Sequence, residues 1–246
     1  MVDLDAVAPY VDYLADGGVD GVFALGSTGE GILLEADERR AVAAAFREAT
    51  AGRLDLAVHV GAISTQQTVA LAEHAAWIGA DAVAAVAPPY YAYTDEGLLE
   101  HFAAAASACA PVPFFAYELA ARSGYAIPVA VVERLRERAS NFAGMKVSDR
   151  PFSAVEPYLL EGLALFVGAE PLIPEALAAG AVGSVSGLAA IHPAEVAELL
   201  RNPTAEGAAA IDELRASLEP LVPKGKAALA ARGLMRPDVR LPLVPA

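Results

Sequence analysis

Apolar residues alternate along the chain between two patterns, short continuous runs and helical spacings. Leu4, Val7, Val11 and Leu14 recur at the spacing of one helix face, so the chain opens with an amphipathic helix. Seven apolar runs then read as buried strands: 21–25 (GVFAL), 56–60 (LAVHV), 82–87 (AVAAVA), 113–117 (PFFAY), 142–146 (FAGMK), 164–168 (ALFVG) and 183–187 (GSVSG). Helical patterns fill the intervals, including about 36–50 and 95–108. Ser64 followed by Gln67 predicts a capping box, and Pro128 marks another helix start.

Continuous apolar runs, rather than alternating ones, are those of parallel strands covered on both faces. Strand-helix alternation of this kind suits an open doubly wound sheet or a closed (β/α)8 barrel. The absence of GxGxxG after the first strand disfavours the dinucleotide-binding version. A (β/α)8 TIM barrel needs an eighth strand, and the opening helix has none before it. The expectation is therefore a barrel without its first strand, because the barrel is incomplete or because the given start lies downstream of the true one. After residue 200 a loop (201–207, RNPTAEG) leads to a helical stretch, 208–232, broken at Pro220 and Pro223, and a Pro-rich tail. No linker divides the chain. It reads as one domain, 1–200 forming the barrel and 201–246 a C-terminal helical extension.

Composition narrows the function. The 246 residues are 56% hydrophobic, enough for a large core, and a net charge of −14 argues against nucleic acid, which requires a basic surface. One cysteine, Cys109, excludes an intramolecular disulfide. No apolar stretch is long enough to span a membrane and the start lacks signal-peptide character, so a soluble cytoplasmic protein is expected. The four histidines, His59, His74, His101 and His192, follow no metal-ligand spacing, and His59 reads as a hydrogen-bonded core residue.

Charge usage singles out one residue. Only three of the 17 basic residues are lysines, and Lys146 closes an apolar strand, far from Lys224 and Lys226. A strand-end lysine ordinarily snorkels to solvent. Facing a barrel interior instead, it loses hydration, its pKa falls, and the amine becomes a nucleophile able to form a Schiff base with a ketone. Other strand ends carry GSTGE (26–30), whose Ser27 and Thr28 offer hydroxyls and backbone N–H groups to an anion, or simply make a turn. PPYYAY (88–93) supplies Tyr90, Tyr91 and Tyr93, as packing or as a proton relay. Tyr117 ends its strand five residues before Arg122, offering a relay and an anion clamp.

The order GSTGE, PPYY, strand-end Tyr with RSG behind it, GMK and GAVGSVSG resembles the dihydrodipicolinate synthase / N-acetylneuraminate lyase family, from about residue 2 to the closing LPLVP. The resemblance implies a class I pyruvate-dependent aldolase or lyase on a (β/α)8 barrel, without metal or organic cofactor, assembled as a homo-oligomer, usually a dimer of dimers. Lys146 matches the Schiff-base lysine and Tyr117 the proton-relaying tyrosine. Ser27 and Thr28 match the pair that holds the pyruvate carboxylate. Tyr91 matches a tyrosine that in many members reaches a neighbouring subunit's site. Arg122 matches the arginine that meets the second substrate's carboxylate in dihydrodipicolinate synthases, and Val185 and Ser186 the backbone beside the pyruvate.

Departures from the family pattern concern the second substrate. Glu118 replaces the usual Asn after the tyrosine, and Val147 the commonly acidic residue after the lysine. The segment after PYY and the C-terminal helical part are shortened, and the first strand has no counterpart. Arg122 favours condensation of pyruvate with a carboxylate-bearing aldehyde, as in 4-hydroxy-tetrahydrodipicolinate synthase. N-acetylneuraminate lyase or 2-keto-3-deoxy-sugar-acid aldolase activity is the alternative, a keto-acid-binding paralogue without turnover a further one. A phosphate-binding barrel enzyme ranks last, because GAEPLIPEA (168–176) stands where a glycine-rich phosphate loop would lie.

Overall fold

A computed structural model describes residues 2–246. Its elements run α1 (Val7–Asp16), β1 (Gly21–Ala24), α2 (Ala36–Thr50), β2 (Asp55–His59), α3 (Thr65–Trp77), β3 (Ala82–Val86), α4 (Asp95–Cys109), β4 (Phe114–Glu118), α5 (Ala120–Ser123), α6 (Val129–Arg138), β5 (Phe142–Val147), β6 (Ala164–Val167), α7 (Ile173–Ala178), β7 (Gly183–Ser184), α8 (Pro193–Arg201), α9 (Ala205–Ser217) and α10 (Leu221–Ala231). All seven expected strands form, and they pair in parallel in chain order from β1 to β7.

The sheet is curled. Parallel strands sit about 4.8 Å apart, so β1 and β4 in a flat sheet would be separated by roughly three such steps. Yet the rings of Phe23 on β1 and Tyr117 on β4 have centroids 6.1 Å apart. Closure is partial: β1 and β7 are the two edges and do not pair with each other. Contacts above the strands span the interval. The Tyr10 and Tyr13 hydroxyls of α1 donate to the carbonyls of Ala190 and Ile191, beyond β7, at 2.8 and 2.7 Å.

Alternation sorts each strand into two faces. Leu56, Val58, Val83, Ala85, Phe114, Met145, Val147, Leu165 and Val167 are buried in the main core with helix residues such as Leu98, Phe102, Val132 and Leu135. Each such large side chain contributes about 1.5–3 kcal/mol of burial. Cys109 is fully buried there, its thiol pushed up to about 11 by burial. The concave face carries Phe23, His59, Phe115, Tyr117, Lys146 and Phe166, with Phe115 and Phe166 in edge contact at 5.7 Å.

Several local expectations change. No α-helix joins β5 to β6; the segment makes two single 3-10 turns, Phe152–Ala154 and Glu156–Tyr158. Pro151 and Pro157 each remove a backbone donor and obstruct a continuous helix. The capping box is at Glu35 and Glu38, while Ser64 accepts from the Gln67 N–H without the reciprocal bond. The last strand stops at Ser184 rather than 187. Thr204 caps α9 by accepting from the Gly207 N–H, so that helix starts at Ala205, before the expected 208. The break falls at Pro220, and Pro223 is accommodated in the first turn of α10, where a missing N–H costs nothing.

Candidate active site

Lys146 owes its place to β5. Tyr117 and Phe166 are its register partners on β4 and β6, so these side chains leave the same face of the sheet. Two residues earlier, Gly144 has φ +155°, and a Cβ there would lie 1.9 Å from the Ala164 carbonyl oxygen. Only glycine lets β5 approach β6 this closely where the β4–β5 register shifts.

The amine points inward. Lys146 is 9% exposed, with Nζ 4.0 Å from the Tyr117 ring centroid and 4.6 Å from that of Phe23. Burial pulls the lysine pKa below its ordinary value, partly opposed by Tyr117 and Glu170. His59 adds no competing cation: burial, Arg39 and Lys146 hold it down at about 3. Its Nε2 accepts from the Val86 N–H at 3.2 Å, which assigns the proton to Nδ1, 3.1 Å from the Leu25 carbonyl. His59 is thus a neutral, hydrogen-bonded core residue.

A cavity of about 2190 Å³ lies inside the curl and extends through the interval between β1 and β7. That exceeds the roughly 300–1,000 Å³ of a small-ligand site, because the open interval is included. Ser27, Thr28, Tyr117, Arg122, Lys146, Val185 and Ser186 all line it. Tyr91 does not: it is 61% exposed outside the cavity, edge-on to Tyr90 at 4.9 Å and Tyr93 at 6.3 Å.

The turn carrying Ser27 and Thr28 is bracketed by two non-glycine residues in the left-handed region, Leu25 (φ +63°) and Glu30 (φ +55°). Such strain persists only where the surroundings enforce it. Glu30 supplies the enforcement: its buried carboxylate accepts from Lys226 Nζ at 2.7 Å and from the Arg240 N–H at 2.5 Å. The C-terminal extension therefore pins the GSTGE turn. Thr28 reaches across to the loop beyond β7, where a Cβ on Gly187 would fall 2.8 Å from its Oγ1.

Two further residues line the same space. Glu170, 1% exposed and just beyond β6, accepts from Ser186 Oγ at 2.8 Å and from the Leu188 N–H at 3.0 Å. Arg215 of α9 approaches the same carboxylate oxygen at 3.4 Å. Glu170 lies just past a strand end, a position in the sequence that marks it; Arg215 is 45 residues further on and carries no local signal. Arg122, on α5, is exposed and has no ion-pair partner among the described residues. Among the described residues no cluster of three or more His, Cys, Asp or Glu could hold a metal ion. No helix among them is long and apolar enough to cross a membrane.

A curled parallel sheet with a buried lysine at its strand ends, beneath loops bearing hydroxyls and an arginine, defines the class of α/β barrel-type proteins whose chemistry sits at that end. Residues 1–246 match the model of the Dihydrodipicolinate synthetase family, and the chain belongs to that family. An uncharacterized DapA-like lyase of Halobacterium salinarum is 33% identical, across 98% of this chain and 83% of its own. The N-acetylneuraminate lyase of Rattus norvegicus is 32% identical across 75% of this chain and 60% of its own. The crystal structure of dihydrodipicolinate synthase from Aquifex aeolicus superposes with a TM-score of 0.92 at 27% identity, covering 100% of this chain and 87% of that one.

Proposed function

We propose that this protein is a class I pyruvate-dependent aldolase in which Lys146 forms a Schiff base with the C2 carbonyl of pyruvate. The observation that carries this is a buried lysine with a lowered pKa, stacked on a strand-end tyrosine inside the cavity. Neutral amine attacks the ketone, water leaves, and the iminium accepts electrons from the adjacent carbon. Tyr117 moves the protons of addition and dehydration. Removal of a methyl proton, by Tyr117 acting with Thr28, gives the enamine. Its carbon adds to an aldehyde carbonyl, and water then releases the product from Lys146. Ser27 and Thr28 hold the pyruvate carboxylate and so orient the reacting carbon, with the Val185–Ser186 backbone beside it.

The second substrate is an aldehyde that carries a carboxylate. Arg122 supports this, as a guanidinium without an ion-pair partner at the cavity lining. The direction would be condensation, as in 4-hydroxy-tetrahydrodipicolinate synthase. The relatives named N-acetylneuraminate lyase support a second reading, in which a keto-sugar acid is cleaved to pyruvate and an aldose. Tyr90 and Tyr91, 84% and 61% exposed, are a face that a second copy of the chain would cover in a homo-oligomer. The free edges of β1 and β7 are where an eighth parallel strand would complete the ring.

Incubation with pyruvate and either succinic semialdehyde or an N-acetylated aldose, with product detection by mass, tests the choice. Condensation with the acidic aldehyde is expected. Turnover of the aldose alone supports the second reading, and a pyruvate adduct with no product from either makes the protein a binder.

A further inference from the structure

Glu118 and Asp149 face each other behind the cavity and tie down one segment by both ends. On β4 the alternation that sends Tyr117 inward sends Glu118 to the outer face, beside its register partner Val147. Glu118 is 1% exposed, and it does not line the cavity. Its Oε2 accepts from the Ile127 N–H at 2.7 Å, while Oε1 has no hydrogen-bond partner. Asp149, within hydrogen-bonding reach of Glu118, accepts from the N–H groups of Ala120 and Ala121 at 2.8 and 3.3 Å. The two carboxyls therefore hold the beginning and the end of segment 119–127, and Arg122 rides between those anchors.

A buried carboxylate oxygen without a donor is costly, and two carboxylates side by side are costlier. One proton resolves both problems, since a protonated Glu118 donates to Asp149. No cation offers an alternative: among the described residues neither carboxyl has a lysine or arginine ion-pair partner, and Arg150, next to Asp149, pairs with Asp212 at 3.1 Å. The other titratable groups facing the pair are phenols. Tyr125 donates to the Pro88 carbonyl at 2.6 Å and Tyr158 to the Ile127 carbonyl at 2.7 Å.

We propose that Glu118 and Asp149 share one proton and that this clamp fixes Arg122 over the cavity, which makes Glu118 a positioning residue for the second substrate. The role of Arg122 in this inference rests on the aldolase function proposed above; the shared proton does not. Burial, with Asp149 adding to it, pushes Glu118 up to about 7, so the proton is lost around neutrality. Its loss places two charges together and loosens the segment.

Carboxyl 13C NMR on the full chain without substrate tests the clamp itself. Glu118 is expected to titrate near neutrality, and Glu118→Gln is expected to abolish that step. A Glu118 midpoint in the ordinary carboxylate range, about 4.3, overturns the shared proton. For the positioning role, the KM for succinic semialdehyde is expected to rise several-fold between roughly pH 6 and 9 in the wild type. Glu118→Gln, whose amide keeps both bonds, is expected to hold a low and flat KM, and Glu118→Ala a high one throughout. Identical pH profiles for wild type and Glu118→Gln overturn the positioning role. Failure of pyruvate to form an adduct in any variant overturns the aldolase function instead and leaves the NMR titration to decide the clamp.

Discussion

Lys146 and Tyr117 are register partners on adjacent parallel strands, and the lysine Nζ lies 4.0 Å from the centre of the tyrosine ring. Both groups are nearly closed off from solvent, at 9% and 3% exposure. An ammonium there trades bulk hydration for a ring face, which compensates only part of the loss. Burial thus favours the uncharged amine, the form that attacks a carbonyl.

That preference has a sign in stability. Lys146 has its pKa lowered on folding by burial, so between the folded and the unfolded value, the latter about 10.4, the unfolded chain binds more protons. Stability therefore rises with pH across that window, and below the folded value the full penalty for a buried ammonium remains. Lys146→Met is expected to remove the slope and to raise Tm at neutral pH, by about 2–4 °C per kcal/mol regained. Thermal melts of both forms across the alkaline range check this.

Tyr117→Phe keeps the ring that stacks on Lys146 and removes only the hydroxyl. Stability should change little, while turnover should fall about 10²–10⁴-fold if the phenol relays protons. Single-turnover kinetics should show the loss in the proton-transfer steps. Unchanged turnover would assign Tyr117 to packing alone.

Arg122→Ala should separate the two substrates. A charged hydrogen bond contributes about 1.5–3 kcal/mol, so the KM for an acidic aldehyde should rise about ten- to hundredfold with pyruvate binding intact. Steady-state kinetics with each substrate varied in turn measure this, and equal losses for both would contradict the assignment.

Glu30→Ala should release the GSTGE turn by removing the acceptor shared by Lys226 and the Arg240 N–H. Glu30 is buried and Lys226 partly so. A loss between an exposed pair and a fully buried one is expected, about 1–3 kcal/mol by chemical denaturation. Weaker pyruvate binding should accompany it, because the turn holds Ser27 and Thr28. Lys226→Ala should show a smaller loss of the same kind.

Much of this was legible along the chain, and what was not has physical reasons. Continuous apolar runs placed all seven strands, because a parallel strand buried on both faces is made mostly of apolar residues. The lysine closing FAGMK stood out for the same reason. Failures fall where proline or distance intervenes: the β5–β6 connection lost its helix to Pro151 and Pro157. Glu30 and Arg215 meet the site through the C-terminal extension, so no local spacing could reveal them. Tyr91 matched a family position yet lies outside this chain's own cavity. Glu118 and Val147, two separate departures along the sequence, turn out to be register partners on β4 and β5.

The most direct measurement is borohydride reduction in the presence of pyruvate, followed by peptide mass mapping. The expected result is one reduced pyruvyl group on the peptide containing Lys146, absent without pyruvate and absent in Lys146→Ala. An unmodified Lys146 peptide, or an adduct confined to Lys224 or Lys226, would contradict the assignment of Lys146 as the Schiff-base residue.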